Sequence, residues 1–310
     1  VPDTSTPSAA AATGNAGPRF GLGRRRTRNR LTWFLCAAAL VLLVIPVVWI
    51  VGGVADRALR NFHFSLLTTY PVGNIGGVLN SIEGTFVLVV GVLIVAATVG
   101  MAGGIYLAEY ARDGRGQFLR GASEVLAGVP SIVLGYVGLV ALVQELHWGN
   151  SLYAGIIVVS VLVVPYVIKT TEVALRTVPT SYREGGEALG MRSGYMLRKL
   201  VLRPALPGIA TGLILAAAIS VGETAPLLLT VGYNERAPTF SLHNSPIGFL
   251  TYNVITDYNQ PSTFLHQRAN VAALLLILLV LILIVVARVV VMTTQRHSPD
   301  RPQRVGKGGG

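Results

Sequence analysis

Long apolar runs, each about as long as a lipid bilayer is thick, alternate with short polar segments along this chain. The first run, 31–54, contains no charged residue. At about 1.5 Å of helical rise per residue it can cross a hydrocarbon core of roughly 30 Å. Five further runs follow, at about 84–108, 124–143, 152–168, 205–231 and 271–292. In lipid every backbone polar group must be satisfied inside the protein, so runs of this length predict helices. They are too long and too continuous for the alternating strands of a barrel. The expected fold class is an all-α membrane protein with six transmembrane helices over 31–292. The third run is expected to begin earlier as an interfacial helix.

The ends are polar. Residues 1–30 are rich in Ser, Thr, Ala, Pro and Gly and close with Arg19, Arg24, Arg25, Arg26, Arg28 and Arg30. Nothing in this arm can form a core, so disorder is expected there. A basic stretch before an apolar run also suits a signal peptide. This run is too long for the apolar part of one, and no convincing small-residue cleavage site follows, so an uncleaved anchor is expected. Residues 293–310 form a second polar tail.

Only 13% of the 310 residues are charged and 52% are hydrophobic. A soluble domain carries about 25% charge. The net charge of +11 is unevenly placed. With six spans, 21 of the 25 Lys and Arg fall on the side of the two termini, and only Arg57, Arg60, Arg236 and Arg268 fall on the other. The positive-inside rule then predicts cytoplasmic termini. Topology accounts for the basic excess, so nucleic acid is not expected as a partner. One cysteine, Cys36, excludes a disulfide framework or a Cys-based metal site within the chain. His63, His147, His243, His266 and His297 share no ligand spacing. The loops at 55–83 and 232–270 lie on the outer side. Tyr233, Asn234, Tyr252, Asn253, Asp257, Tyr258 and Asn259 make the second one polar and aromatic, fit either to dock an external partner or to lie solvated at the interface.

The segment 177–208 has the densest signals. Pro179 and the pattern Ser181-Tyr182-Arg183-Glu184 predict a helix start with a capping box. Gly190 predicts its stop. A second helix is expected over about 193–202. Leu189, Met191, Tyr195, Met196 and Leu197 make this pair amphipathic, suited to lipid headgroups or to a partner's groove.

Glu184-Gly185-Gly186-x-x-x-Gly190 resembles the EAA loop of bacterial ABC importer permeases. Gly222-Glu223-Thr224-Ala225-Pro226 and Gly128-Val129-Pro130-Ser131-Ile132-Val133 are similar to stretches of the phosphate-specific, PstA-type permeases. So is Lys169-Thr170-Thr171-Glu172, where that family usually has Arg before the threonines. The likeness covers about 80–232. It implies a type I ABC importer permease fold, with a cytoplasmic coupling helix that Glu184, Gly185, Gly186, Leu189 and Gly190 present to an ATP-binding subunit. It also implies a bacterial plasma membrane location and transport of inorganic phosphate. The implied partners are a second, PstC-type permease, two PstB-type ATP-binding subunits that hold ATP and magnesium, and a PstS-type extracytoplasmic phosphate-binding protein. No cofactor is expected in this chain, which lacks a G-x-x-x-x-G-K-[ST] loop. The family often has Arg one turn before the membrane glutamate; here Ile219 stands there.

Phosphate carries between one and two negative charges at neutral pH, so a route through the membrane needs donors and positive charge. Candidates for that route are Ser131, Thr224 and Lys169, although Ser and Thr in helices often bond their own backbone. Glu223 is the most costly residue to place in an apolar run. Ionised, it has no donor for phosphate and repels it. It is therefore expected to pair with a cation or to be protonated, serving as a gate or as a tie between helices. Gly100-x-x-x-Gly104 and Gly208-x-x-x-Gly212 predict close helix packing. Other readings of six spans are an importer of sulfate, molybdate or an organic solute, and a scaffold or receptor that transports nothing. An intramembrane enzyme would need paired polar residues at matched depth, which the chain lacks.

Overall fold

The computed structural model describes residues 22–60, 62–111 and 114–295. Eleven helical elements follow one another: α1 (Leu22–Arg60), α2 (Ser65–Thr68), α3 (Leu79–Tyr110), α4 (Gly114–Ala127), α5 (Ser131–Glu145), α6 (Leu152–Arg176), α7 (Ser181–Ala188), α8 (Ser193–Gly222), α9 (Ala225–Thr230), α10 (Leu250–Tyr258) and α11 (Thr263–Gln295). Among the described residues there is no strand; the nearest approach is the isolated bridges Val72 to Ile75 and Ser151 to Ser245. Among the described residues, five helices are long and apolar enough to cross a membrane; α4 and α5, bent by 95° to each other, give a sixth only if the pair is counted as one span.

Several boundaries differ from the sequence expectation. Helix α1 begins at Leu22, inside the stretch expected to be a disordered arm; residues 1–21 and the tail from 296 lie outside the described residues. The third span is not one helix, because Pro130 supplies no backbone donor and turns the chain between α4 and α5. The helix expected over 193–202 does not end there. It runs through a widened turn at Leu197–Val201 into the fifth span as α8. That span stops at Gly222, and α9 follows as a separate piece.

Contacts divide the chain into two units, 1–53 and 54–310. In the first, residues 29–50 are exposed, among them Trp33, Leu42 and Trp49, and Cys36 with them. Apolar side chains of this kind are what a lipid-facing helix presents.

The second unit is built around α6. Leu152, Val159, Val163 and Val167 are buried in its core together with Leu88, Val92 and Ala96 of α3 and Ala216 of α8. Lipid is as apolar as leucine, so helix association in a membrane depends on close packing. The two small-residue motifs supply it on adjacent faces of α6. On α3, a Cβ added at Gly100 would lie 2.7 Å from Val167 Cβ, and one at Gly104 2.5 Å from Thr171 Cβ. On α8, a Cβ at Gly208 would lie 2.7 Å from Ala174 Cβ, and one at Gly212 would overlap Thr170.

The loop expected over 232–270 to be a docking or solvated surface is tied inward in part, while 235–237 and 239–244 are exposed. Arg268 of α11 donates two hydrogen bonds to Asp257, at 2.7 and 2.8 Å, and Asn253 donates a third at 3.0 Å, with all three residues buried. Arg268 was expected among the outer loop charges; it sits in the first turns of α11. Tyr233 stacks on Tyr252 at 4.1 Å, and Asn80 of α3 donates to the Asn234 carbonyl at 2.7 Å. Tyr258 and Asn259 remain exposed.

Two predictions arise from this packing. Gly104→Leu must force α3 and α6 apart and costs about 1–3 kcal/mol, the usual penalty for overpacking; denaturation of the purified protein in mild detergent reads it, and an unchanged midpoint would refute the close approach. Asp257→Asn leaves a buried guanidinium uncompensated and costs about 3–5 kcal/mol, whereas Asp257→Leu combined with Arg268→Met is much less damaging; the same denaturation assay compares them.

Candidate functional site

The segment between α6 and α8 forms a compact hairpin. Helix α6 closes at Thr177, whose hydroxyl donates to the Ala174 carbonyl at 2.7 Å. Helix α7 starts after Thr180, which takes the cap position without a side-chain bond. The expected capping box is therefore not formed: Ser181 lies one place too far along, as the first helical residue. Glu184 is consequently not engaged in a cap, and it is exposed.

Gly190 ends the helix as expected. Its φ is +66°, a left-handed conformation that costs a side-chain-bearing residue about 1–2 kcal/mol. Gly190 N–H donates to the Glu187 carbonyl at 2.9 Å and Met191 N–H to the Gly186 carbonyl at 3.0 Å, the paired bonds of a Schellman ending.

The two central glycines face opposite ways. Gly186 is buried, and a Cβ there would meet Met196 Cγ and Sδ at 2.8 Å, so its lack of a side chain lets α7 lie flat on α8. Gly185 has open space before it. The amphipathic set divides accordingly: Met196 points inward, while Leu189 is 80% exposed and Tyr195 58%. With half-exposed Tyr182, these give the hairpin an exposed apolar set, while Glu184 and Gly185 are exposed beside it.

Ion pairs surround the base of the hairpin. Arg183 of α7 donates to both oxygens of Glu109 at the end of α3, at 2.6 and 3.3 Å. Arg120 of α4 donates to Glu172 of α6 at 2.7 Å, and Arg176 reaches the same carboxylate at 2.8 Å. Lys169 pairs with Glu124 at 3.1 Å, and both are more than half exposed. Lys169, expected as a donor to the anion route, therefore already has an anionic partner. Sequence reasoning missed Glu109, Arg120 and Arg183. Their partners lie 52 or 74 positions away, and no spacing signal connects residues so distant.

A second cluster forms where two helices break. Pro130 precedes α5, and Glu223 and Thr224 separate α8 from α9. The two short segments pack closely: a Cβ at Gly135 would lie 2.6 Å from Pro226 Cα. This brings Ser131 near Glu223. The Glu223 carbonyl accepts from the Thr251 hydroxyl at 3.0 Å, and Thr224 bonds the Gly222 carbonyl at 3.3 Å. Glu223 was expected inside a continuous helix; it lies instead in extended backbone at a break, with ψ 135°. Among the described residues, no ion pair involves Glu223. Irregular backbone at membrane depth is tolerated where protein covers it or where it lines a cavity, and Ser131, Glu223 and Thr224 are all partly exposed. Ile219 packs against the main core, and the Ser220 hydroxyl bonds back to the Ala216 carbonyl at 2.8 Å.

Comparison with known proteins matches residues 100–296 to the family described as "Binding-protein-dependent transport system inner membrane component". The chain is 50% identical over 251 residues to the phosphate transport system permease protein PstA 2 of Mycobacterium bovis, spanning 81% of this chain and 83% of that one. It is 35% identical over 216 residues to the phosphate transport system permease protein PstA of Yersinia pestis, spanning 68% and 72%. Among solved structures, a chain of the MetNI methionine ABC transporter in inward-facing conformations aligns with a TM-score of 0.58 at 18% identity, covering 70% of this chain and 95% of that one. At that identity the likeness is one of fold.

Gly190→Val places a β-branched residue at positive φ and loosens the hairpin by about 1–2 kcal/mol or more. Limited proteolysis of the purified protein within 177–200 is expected to accelerate, with the rest of the pattern unchanged. An unaltered cleavage rate would contradict the left-handed ending.

Proposed function

The chain belongs to the family of binding-protein-dependent transport system inner membrane components, and from that premise we propose that it is a permease subunit of an ATP-driven importer of inorganic phosphate. The observation that carries this reading is the identity of half its aligned residues with a phosphate permease, over four fifths of the chain. The exposed apolar set at Leu189, beside the Gly190 ending, fits the transport role: an apolar surface of this kind suits a partner's groove.

On this reading the hairpin lies in the cytoplasm, in keeping with the distribution of Lys and Arg. Glu184, Gly185, Leu189 and Gly190 meet the ATP-binding subunit, with Gly186 seating the hairpin on α8. Two such permeases, this one and a PstC-type partner, enclose the route; two PstB-type subunits bind ATP and magnesium and hydrolyse ATP; a PstS-type protein delivers phosphate from outside. Closure of the ATP-binding subunits displaces the hairpins and switches access to the route.

Ser131, Thr224 and Glu223 supply this chain's polar groups to the route. The hydroxyls can donate to a passing oxyanion, and a glutamate that repels it when ionised suits a gate, since conduction requires that binding stay weak enough for release. Lys169 faces Glu124 of α4 in an exposed pair.

The test is co-purification and uptake. Leu189→Asp should lower recovery of the ATP-binding subunit by on the order of tenfold, as loss of an interface anchor does, with membrane insertion intact. Glu223→Gln should alter phosphate uptake in proteoliposomes and leave that recovery unchanged. Normal recovery with Leu189→Asp would remove the hairpin from the interface. An assembly that transports another anion and not phosphate would overturn the substrate.

A further inference from the structure

Four charged residues at the base of the hairpin form a reciprocal arrangement that the coupling motif does not include. Arg183 of α7 forks onto Glu109 of α3 and also donates to the Leu175 and Val178 carbonyls at the end of α6, both at 3.1 Å. Arg120 of α4 pairs with Glu172 of α6 and also donates to carbonyls at the end of α3, Leu107 at 2.7 Å and Ala111 at 3.4 Å. Each of the two membrane helices thus gives a carboxylate to one arginine and its terminal carbonyls to the other.

We propose that Arg183 and Glu109 form the strut through which movement of the hairpin is delivered to the ends of α3 and α6, with Arg120 and Glu172 holding those two ends together as one body. This deepens the transport reading above and rests on it. The reasoning is mechanical. Helix α7 has only eight residues, joined to α6 by a short link, and its packing through Gly186 reaches Met196 and Leu200 of α8. Those contacts pass a displacement of α7 to α8 first, and to α6 and α3 only indirectly, through the packing of these helices on one another. Arg183 connects α7 to both.

Its planar fork fixes direction as well as distance, which a single ammonium cannot do. The pair is also sheltered: the side chains of Arg183 and Glu109 are 21% and 16% exposed, and those of Arg120 and Glu172 26% and 5%. Breaking one partner of a sheltered pair leaves the other charge uncompensated, so the connection holds under load. The exposed Lys169 to Glu124 pair, 57% and 67%, has no such protection and contributes little. Arg183 and Glu109 touch neither phosphate nor ATP; they are positioning residues.

The experiment uses the whole transporter, reconstituted with its partner subunits in liposomes, and measures phosphate transported per ATP hydrolysed. Arg183→Gln and Glu109→Gln should each lower that ratio by on the order of tenfold, the upper range of coupling effects at positions that contact neither ligand. Recovery of the ATP-binding subunit should stay within about twofold of the unsubstituted chain, since no interface residue is altered. The double variant should be no worse than the poorer single, because both remove one connection. Arg183→Lys, which keeps the charge and loses the fork, should fall between.

An unchanged ratio in both single variants overturns the proposal, as do effects that multiply independently in the double. A loss of assembled transporter with a normal ratio in what remains also overturns it, by reducing the pair to a brace for folding. If Arg183→Gln does not assemble, Glu109→Gln, which is nearly isosteric, carries the same comparison. Failure of the unsubstituted chain to recover any ATP-binding subunit would instead sink the transport reading itself.

Discussion

Close contact of α3 and α8 with adjacent faces of α6 is the constraint on which the rest of this structure depends. Water drives the helices of a soluble protein together, but lipid gives apolar side chains no comparable reason to leave it. Contact must then be earned by shape. Gly100 and Gly104 admit Val167 and Thr171 of α6, and Gly208 and Gly212 admit Ala174 and Thr170. With α6 held by both neighbours, its C-terminal end becomes a fixed point for the elements that follow it.

One end is where charge gathers. Glu109, Arg120, Glu172 and Arg183 all lie where helices leave the apolar layer, and each carboxylate is met by a guanidinium. The same arginines also bind carbonyls that lack helical partners, a need at every helix C-terminus. The hairpin built on this base has opposite requirements on its two sides. Gly186 must be bare to lie on Met196, while Leu189 is left bare of protein. A stiff base beside an exposed apolar set suits a segment that receives a push from another subunit.

The second site depends on interruption. Two proline-marked breaks, before Ser131 and after Gly222, let α5 and α9 pack through Gly135 and Pro226. A glutamate, two hydroxyls and extended backbone are exposed there within otherwise apolar segments. A continuous helix would have consumed the backbone groups and dispersed the side chains around its surface.

Much of this was legible in the residues. Apolar runs of bilayer length require helices because lipid leaves the backbone no other partner, so the helical class followed from length alone. Gly190 ended its helix where the sequence placed the stop, since only a residue without Cβ accepts that φ cheaply, and the spaced glycines marked close contacts. The capping box at Ser181 and Glu184 was misjudged, because the pattern shows that a cap is possible and not that the chain starts its helix in that register. Glu223 was read inside a helix because hydropathy does not register a break that leaves composition unchanged. The arrangement of Arg183, Glu109, Arg120 and Glu172, the inward turn of Asp257 and Arg268, and the meeting of Ser131 with Glu223 were decided by tertiary structure alone. Each joins residues far apart in the chain, and only the folding of the helices against one another sets which distant charges become neighbours.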